Sequence, residues 1–104
     1  MRSGIYLIHF MNTNKNYVGA SKDVWKRLRT HRSELKNCKH WFGNKGMYQD
    51  ASKNGFDSIY FYILELCDIS KLKEREQYWI DKFDSVNDGY NSQSSGLNHT
   101  WFGG

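Results

Sequence analysis

Two phenols, a guanidinium and an imidazole follow one another at short spacings near the N-terminus of this chain. Ten residues separate the tripeptides Gly4-Ile5-Tyr6 and Tyr17-Val18-Gly19, and Arg27 and His31 follow the second tripeptide. A guanidinium binds phosphate oxygens with a planar fork of donors, while phenol and imidazole groups orient water or move protons. This set of side chains therefore suits chemistry on a phosphodiester.

Turn residues and apolar spacing predict the elements that carry the first of these side chains. Gly4 to Met11 predicts a strand, Asn12 to Lys15 a turn and Asn16 to Ala20 a second strand, so the three form an antiparallel hairpin. Tyr6 and Tyr17 project from the same face of the sheet if the numbers of paired residues in the two strands add up to an odd number. The glycine in each strand leaves room for another group to approach closely. The alternative is that both tyrosines are ordinary strand aromatics.

A helix is predicted to follow the hairpin, with Ser21 as its N-cap and its end at about Leu35. Apolar residues recur in it at helical spacing, namely Val24, Leu28 and Leu35. His31 falls within this stripe and Arg27 on its shoulder, so both are expected to face the sheet. The alternatives are a core histidine that binds backbone and an arginine that reaches past the core to solvent.

The opposite face of the same helix is predicted to be basic and exposed. Its residues are Lys22, Lys26, Arg29, Arg32 and Lys36. Residues 1–45 contain ten Lys or Arg and two Asp or Glu, whereas residues 46–104 contain five and nine. A chain polarised in this way presents one positive side to a polyanion, and these five residues are expected to contact DNA phosphates without sequence specificity.

Three further elements are predicted from the rest of the chain. Trp41 to Lys53 predicts a second helix that stops at Asn54-Gly55, and Ser58 to Leu66 predicts a third strand. Ser70 is the expected cap of a last helix that reaches about Phe83. The predicted order is therefore β-β-α-α-β-α.

The last helix contains a carboxylate on its apolar face. That face is formed by Leu72, Trp79, Ile80 and Phe83, and Glu76 lies in its middle. An unpaired charge in such a place costs several kcal/mol, so a compensating cation is expected. The candidates are Arg27, in a purely structural ion pair, and a divalent metal such as Mg²⁺, which binds one or two carboxylates with waters and phosphate oxygens.

Length and composition limit the remaining possibilities. The 104 residues suffice for one domain, and the tail at 92–104 has the composition of a linker. The sequence has no apolar run of the ~20 residues that span a bilayer and no signal peptide, so a cytoplasmic protein without membrane contact is expected. Cys38 and Cys67 fit no metal-ligand spacing or disulfide framework and are expected to be reduced thiols.

The chain resembles the GIY-YIG nuclease family. The resemblance is carried by the two tripeptides, by Arg27 at its distance from them, and by the segment Glu76-Gln77-Tyr78-Trp79-Ile80. It covers residues 4 to about 91, with Val18 where the family name has isoleucine. It implies an α/β domain of the α+β type, with a small three-stranded antiparallel sheet flanked by helices over residues 1–91.

The resemblance also implies a catalytic site and a cofactor. The matching positions are Tyr6, Tyr17, Arg27, His31, His40, Glu76 and Asn91. Glu76 is expected to hold one Mg²⁺ or Mn²⁺ ion, and Arg27 to grip the scissile phosphate. Tyr6 is expected to orient or deprotonate water, with His31 taking its proton, although the two tyrosines cannot be told apart on this basis. Asn91 is expected to brace Glu76 or the phosphate.

The implied substrate is double-stranded DNA, whose phosphodiester bonds the domain would hydrolyse. His40 and the segment Asp88-Gly89-Tyr90-Asn91 are similar to the homing-endonuclease branch of the family. In that branch a linker joins the nuclease domain to a DNA-binding region, which would lie C-terminal to this chain. The alternatives are a restriction or repair nuclease of the same fold and a nucleic-acid-binding module without catalysis.

Overall fold

The computed structural model of the chain describes residues 1–37 and 45–91. Its strands and helices are β1 (Gly4–Phe10), β2 (Lys15–Ser21), α1 (Val24–Asn37), α2 (Lys45–Asn54), β3 (Ile59–Leu66) and α3 (Leu72–Phe83). Short 3₁₀ turns at Phe56–Ser58 and Ile69–Lys71 precede β3 and α3. The predicted element order and the α+β class are confirmed.

The three strands form one antiparallel sheet in the order β2-β1-β3. In the β1–β2 pair Tyr6 lies opposite Gly19 and Ile8 lies opposite Tyr17. Because paired residues project from the same side of an antiparallel sheet, both tyrosines point to one face. The numbers of paired residues therefore add up to an odd number, which is the condition for the two phenols to share a face.

The sheet has a hydrophobic layer on each side. On the side of Tyr6, α1 and α2 contribute Leu35, Met47 and Ala51 to a core shared with Phe10. On the other side α3 covers Ile5, Leu7 and Val18, and it packs mainly against β2. The alternation of apolar residues along β1 thus buries both faces of the central strand.

Two helix starts differ from the prediction. Ser21 ends β2 instead of capping α1, and the side chain of Asp23 accepts a hydrogen bond from the Lys26 amide at the first turn. Ser70 lies in a 3₁₀ turn, where its hydroxyl binds Asp68, and α3 begins at Leu72 without a side-chain cap. In both cases a polar residue just before the helix uses its hydroxyl for a local turn.

The other ends are close to those predicted. Helix α1 continues to Asn37, β1 stops at Phe10, and β2 extends from Lys15 to Ser21. Helix α2 ends at Asn54, and Gly55 follows with a φ of 89°, as expected for a glycine stop signal. The predicted start of α2 at 41 lies outside the described residues. Within the described ranges, no helix is long and apolar enough to cross a bilayer.

Candidate active site

Tyr6 lies at the centre of the candidate site, on the middle strand of the sheet. Its side chain is almost fully buried, with 1% of its surface exposed. A Cβ atom on the opposite residue, Gly19, would overlap the Cζ atom and the hydroxyl oxygen of Tyr6. The glycine of the second tripeptide is therefore required for the phenol to lie across β2, as the sequence predicts.

His31 meets Tyr6 from helix α1, where it belongs to the buried stripe. Nε2 of His31 and the Tyr6 hydroxyl share a hydrogen bond of 2.9 Å, and the Tyr17 ring centroid is 6.0 Å from the imidazole. Burial, together with the charge of Arg27, lowers the pKa of His31 from 6.5 to about 3. The imidazole is therefore neutral at pH 7, and its Nδ1 is buried with no hydrogen-bond partner among the described residues.

Arg27 lies one helical turn before His31 and is half-buried. Its guanidinium donates a hydrogen bond to the Tyr6 hydroxyl. Part of the guanidinium therefore contacts the phenols while the rest of the side chain remains accessible. The side chains of Arg27 and His31 thus converge on one hydroxyl, as predicted from their spacing of four residues.

Both phenols are held in the protonated form. Burial raises the pKa of Tyr6 well above 10.0, and the neighbouring Tyr17 adds to the rise, although Arg27 opposes it. Burial also raises the pKa of Tyr17, and the negative charge of Glu76 contributes to that increase. At neutral pH both tyrosines are neutral phenols in this state of the protein, and the role expected for Tyr6, to orient or deprotonate water, stays a prediction.

Glu76 reaches this cluster from α3, on the other side of the sheet. Its side chain is fully buried, with 0% exposure, between Leu72 and Ile80, which are also buried. Its charge acts on Tyr17 and, more weakly, on Tyr6. Helix α3 packs against β2, the strand that carries Tyr17, and the carboxylate predicted for the apolar face of the last helix is near enough for its charge to act on both phenols.

Asn91 has a different contact from the one expected. Its Oδ1 accepts a hydrogen bond of 2.8 Å from the Val18 amide, and its Nδ2 donates one of 2.9 Å to the Val18 carbonyl. Both polar groups of the side chain thus bind the backbone of β2 between Tyr17 and Gly19. Asn91 thus braces β2, and its expected role at Glu76 or the phosphate stays a prediction.

The remaining predicted residues lie around this cluster or outside the described ranges. All five basic residues expected to contact DNA are exposed, namely Lys22, Lys26, Arg29, Arg32 and Lys36. Lys22 precedes α1, and the other four belong to it. His40 and Cys38 fall outside the described residues, and Cys67 is a free thiol.

Asp50 is a buried carboxylate of α2 that the sequence interpretation missed. It accepts hydrogen bonds from Thr13 Oγ1 at 2.6 Å, from Asn54 Nδ2 at 2.8 Å and from the Tyr90 hydroxyl. Although burial opposes it, these hydrogen bonds lower the pKa of Asp50. Asp50 lies three residues after the buried Met47 and so on the same face of α2, which is the kind of signal that identified Glu76.

Comparisons with known proteins agree with this geometry. Residues 2–91 match the family profile described as the GIY-YIG catalytic domain. Over 93 residues the chain is 36% identical to intron-associated endonuclease 1 of Enterobacteria phage T4. This match covers 88% of the chain but only 37% of the phage protein's length.

Two solved structures share the fold. A mutant of the catalytic domain of intron endonuclease I-TevI superposes with a TM-score of 0.76 at 31% identity, covering 94% of this chain and 100% of that one. A second structure, of the catalytic domain of homing endonuclease I-TevI, gives a TM-score of 0.74 at 32% identity, covering 88% and 99%. The chain therefore belongs to the GIY-YIG family, and its fold is that of a GIY-YIG nuclease catalytic domain.

Proposed function

We propose that this chain is the catalytic domain of a divalent-metal-dependent endonuclease that hydrolyses phosphodiester bonds in double-stranded DNA. The observation that carries the proposal is the position of Glu76, which is fully buried and near enough to Tyr17 for its charge to raise the pKa of that phenol. Arg27 and His31 complete a group with one anion, one cation and three neutral polar rings. Such a group neutralises a phosphate and orients a water molecule at the same point.

The donor groups present fit a hard metal ion that the protein and the substrate hold together. Among the described residues no cluster of three or more His, Cys, Asp or Glu side chains could hold a metal. Mg²⁺ keeps several waters and commonly takes one or two carboxylates with substrate phosphate oxygens, and Glu76 suits that requirement. One Mg²⁺ or Mn²⁺ ion bound by Glu76 would act as a Lewis acid on the phosphate and stabilise the leaving oxygen.

Arg27 is the group that grips the scissile phosphate. Its guanidinium lies at the Tyr6 hydroxyl, and the side chain is only half-buried at the candidate site. A planar fork of donors binds two phosphate oxygens at once and stabilises the charge that develops in the transition state. Arg27 thereby places the phosphorus next to the Tyr6 hydroxyl.

The two phenols act first as neutral groups that orient the attacking water and a phosphate oxygen. Their raised pKa values argue against a resident phenolate, and the lowered pKa of His31 argues against a resident imidazolium. A bound DNA phosphate would offset the charge of Arg27, which contributes together with burial to the low pKa of His31. In the complex, Nε2 of His31 is then the nearest site for a proton that leaves Tyr6.

A homing endonuclease is the kind of larger protein that fits best. The phage relative is named as an intron-associated endonuclease, and this chain spans 37% of its length. A DNA-binding region joined beyond residue 91 would then supply target selection. A C-terminal sequence that encodes zinc fingers or a helix-turn-helix would favour homing over a restriction or repair nuclease.

The proposal is tested by plasmid cleavage with and without Mg²⁺. We expect Glu76→Ala and the shape-preserving Glu76→Gln to lose cleavage by at least 100-fold, because the carboxylate positions the metal and phosphate at the reacting bond. Glu74→Ala, which removes an exposed carboxylate from the same helix, is the matched control and should cut normally. Thermal unfolding of each variant shows whether the fold is retained.

Three results would contradict the proposal. Cleavage by folded Glu76→Gln at the rate of the unmodified chain would show that Glu76 is not needed for catalysis. Cleavage in the presence of a chelator would show that no divalent metal is needed. DNA binding without cleavage by the unmodified chain in Mg²⁺ and Mn²⁺ would favour the non-catalytic binding module.

A further inference from the structure

A basic groove lies between the C-terminal half of α1 and the 3₁₀ turn at Phe56–Ser58. It has a volume of about 480 Å³ and is lined by Arg29, Arg32, Ser33, Lys36, Asn37 and Phe56. The groove is separate from the candidate active site. Arg32 follows Arg27 by five positions, a step that rotates the side chain by about 140° around a helix, so the two arginines occupy opposite flanks of α1.

Arg32 is held in this groove by two aromatic rings. Its Cζ atom lies 5.8 Å from the ring centroid of Phe56 and 5.6 Å from that of Phe61. The two phenylalanine rings are 6.0 Å apart and tilted by 38°. Cation–π contacts reduce the side chain's freedom, while a guanidinium keeps its N–H donors available at its edge.

The charge of the groove favours an anion. Three of the six lining residues are cationic and none is acidic. The groove is at the C-terminal end of α1, where the helix dipole opposes an anion. Attraction of an anion must therefore come from Arg29, Arg32 and Lys36, with Arg32 already oriented.

We infer that this groove binds a backbone phosphate of the DNA away from the scissile bond, with Arg32 as its clamp. The inference rests on the proposed function, because it assumes that DNA reaches Arg27. The flanks of α1 are separated by one helix diameter, about 10–12 Å, which is close to the ~12 Å width of the DNA major groove. One duplex can thus present a phosphate to each flank, across an exposed helix face that carries Lys26 and Arg29.

The test compares two variants that each remove one positive charge. Affinity for a DNA duplex is measured over a range of salt concentrations without divalent metal, for the unmodified chain, Arg32→Ala and Lys53→Ala. Lys53 is exposed on α2 and does not line the groove. We expect Arg32→Ala to weaken binding about tenfold and to reduce the slope of log affinity against log salt by about 0.9, the value of one phosphate contact. Lys53→Ala should change neither.

A second pair of variants tests the aromatic support. Phe56→Leu retains all charges but removes one ring from Arg32, so affinity should fall while the salt slope is unchanged. Arg32→Lys keeps the charge without the planar fork and should restore only part of the affinity that Arg32→Ala loses.

The outcomes separate this inference from the proposed function. Equal binding by Arg32→Ala and Lys53→Ala would overturn the groove inference and leave the proposed function standing. Absence of DNA binding by the unmodified chain would overturn both. If inorganic phosphate protects Arg32 from chemical modification but duplex DNA does not, the groove is a site for free anions and the inference is wrong.

Discussion

Gly19 lies opposite Tyr6 on the neighbouring strand, and its lack of a Cβ atom leaves the space in which the phenol lies. The phenol is consequently buried, within hydrogen-bond distance of His31 and Arg27. Burial also sets the protonation states of the site, because removal from water disfavours the charged form of every group. Tyr6 thus stays a phenol and His31 stays a neutral imidazole.

The low pKa of His31 predicts that the domain loses stability in mild acid. The unfolded chain takes up a proton on His31 as the pH falls below 6.5, whereas the folded protein does so only near pH 3. The free energy of unfolding should therefore fall by up to about 1.4 kcal/mol per pH unit between these values. Denaturant unfolding at pH 7, 6 and 5 measures this slope.

The matched variant is His31→Gln, which retains a polar group beside Tyr6 but does not titrate. We expect its stability to depend less on pH between pH 7 and pH 5, a range that lies above the one in which the carboxyl of Asp50 titrates. Equal slopes for the unmodified chain and His31→Gln would show that the imidazole is not desolvated as the structure indicates.

At the scale of elements, β2 requires support because it is an edge strand that carries Tyr17 and Gly19. The segment after α3 supplies that support. The Tyr90 amide donates to the Asn16 carbonyl at 2.9 Å, and the side chain of Asn91 binds both backbone groups of Val18. These contacts extend the hydrogen bonding of the sheet beyond its outer strand.

Loss of the Asn91 side chain should therefore loosen β2. Asn91→Ala leaves a buried amide and a buried carbonyl of Val18 without their partners, and we expect it to cost about 1–3 kcal/mol. Hydrogen exchange of the Val18 amide should accelerate, and DNA cleavage should decrease because Tyr17 and Gly19 flank the freed residue. Measurements of exchange and of unfolding check both effects.

Two controls make this prediction specific. Asn91→Asp retains an acceptor for the Val18 amide and loses the donor to its carbonyl, so its effect should be smaller at that amide. Asn87→Ala removes an exposed asparagine from the same turn and should leave the exchange of Val18 unchanged. Unchanged exchange in Asn91→Ala would refute the bracing role.

A second contact fastens the same segment from α2. Asp50 accepts hydrogen bonds from Thr13, which follows β1, and from Tyr90, which precedes Asn91. The ring of Tyr90 also contacts Phe10 edge-on, with centroids 4.9 Å apart. One carboxylate thus connects the hairpin, α2 and the segment that braces β2.

At the scale of the whole molecule, the positive charge is concentrated in the N-terminal half of the sequence. Helix α1 carries Arg27 towards the site and four exposed cations on its outer surface, namely Lys26, Arg29, Arg32 and Lys36. This polarity favours approach of DNA to the side of the sheet that holds the phenols. In the proposed complex with DNA, the groove beside Arg32 and the cluster around Arg27 would be parts of one extended contact.

The contacts of Tyr90 and Asn91 predict which C-terminal residues the domain needs for its stability and for DNA cleavage. A chain that ends at residue 94 should unfold at the same temperature as the full chain and cut DNA at the same rate. A chain that ends at residue 89 lacks the brace on β2 and should lose several degrees of melting temperature, since about 1 kcal/mol shifts a domain of this size by roughly 4–8 °C. A large loss of cleavage in the longer of the two truncated chains would show that the tail takes part in function.

Much of the site was predictable from local sequence. The period of α1 places Arg27 and His31 on its sheet-facing side, and the apolar face of α3 identifies Glu76 as a buried carboxylate. The alternation of side chains along β1 and β2 allows both phenols to lie on one face, and the strand register of the structure places them there. These features follow from the fixed periods of helices and strands, which depend only on neighbouring residues.

The amino-acid sequence by itself thus determined the order of the elements and the family, and it predicted the side chains of the candidate site. Only the tertiary structure decided that Tyr6 lies against Gly19, that Asn91 binds Val18, and that burial makes His31 neutral. Asn91 and Val18 are 73 residues apart, and no local period relates positions at that distance. Strand register, long-range hydrogen bonds and desolvation arise from contacts through space, so they are defined once the chain is packed.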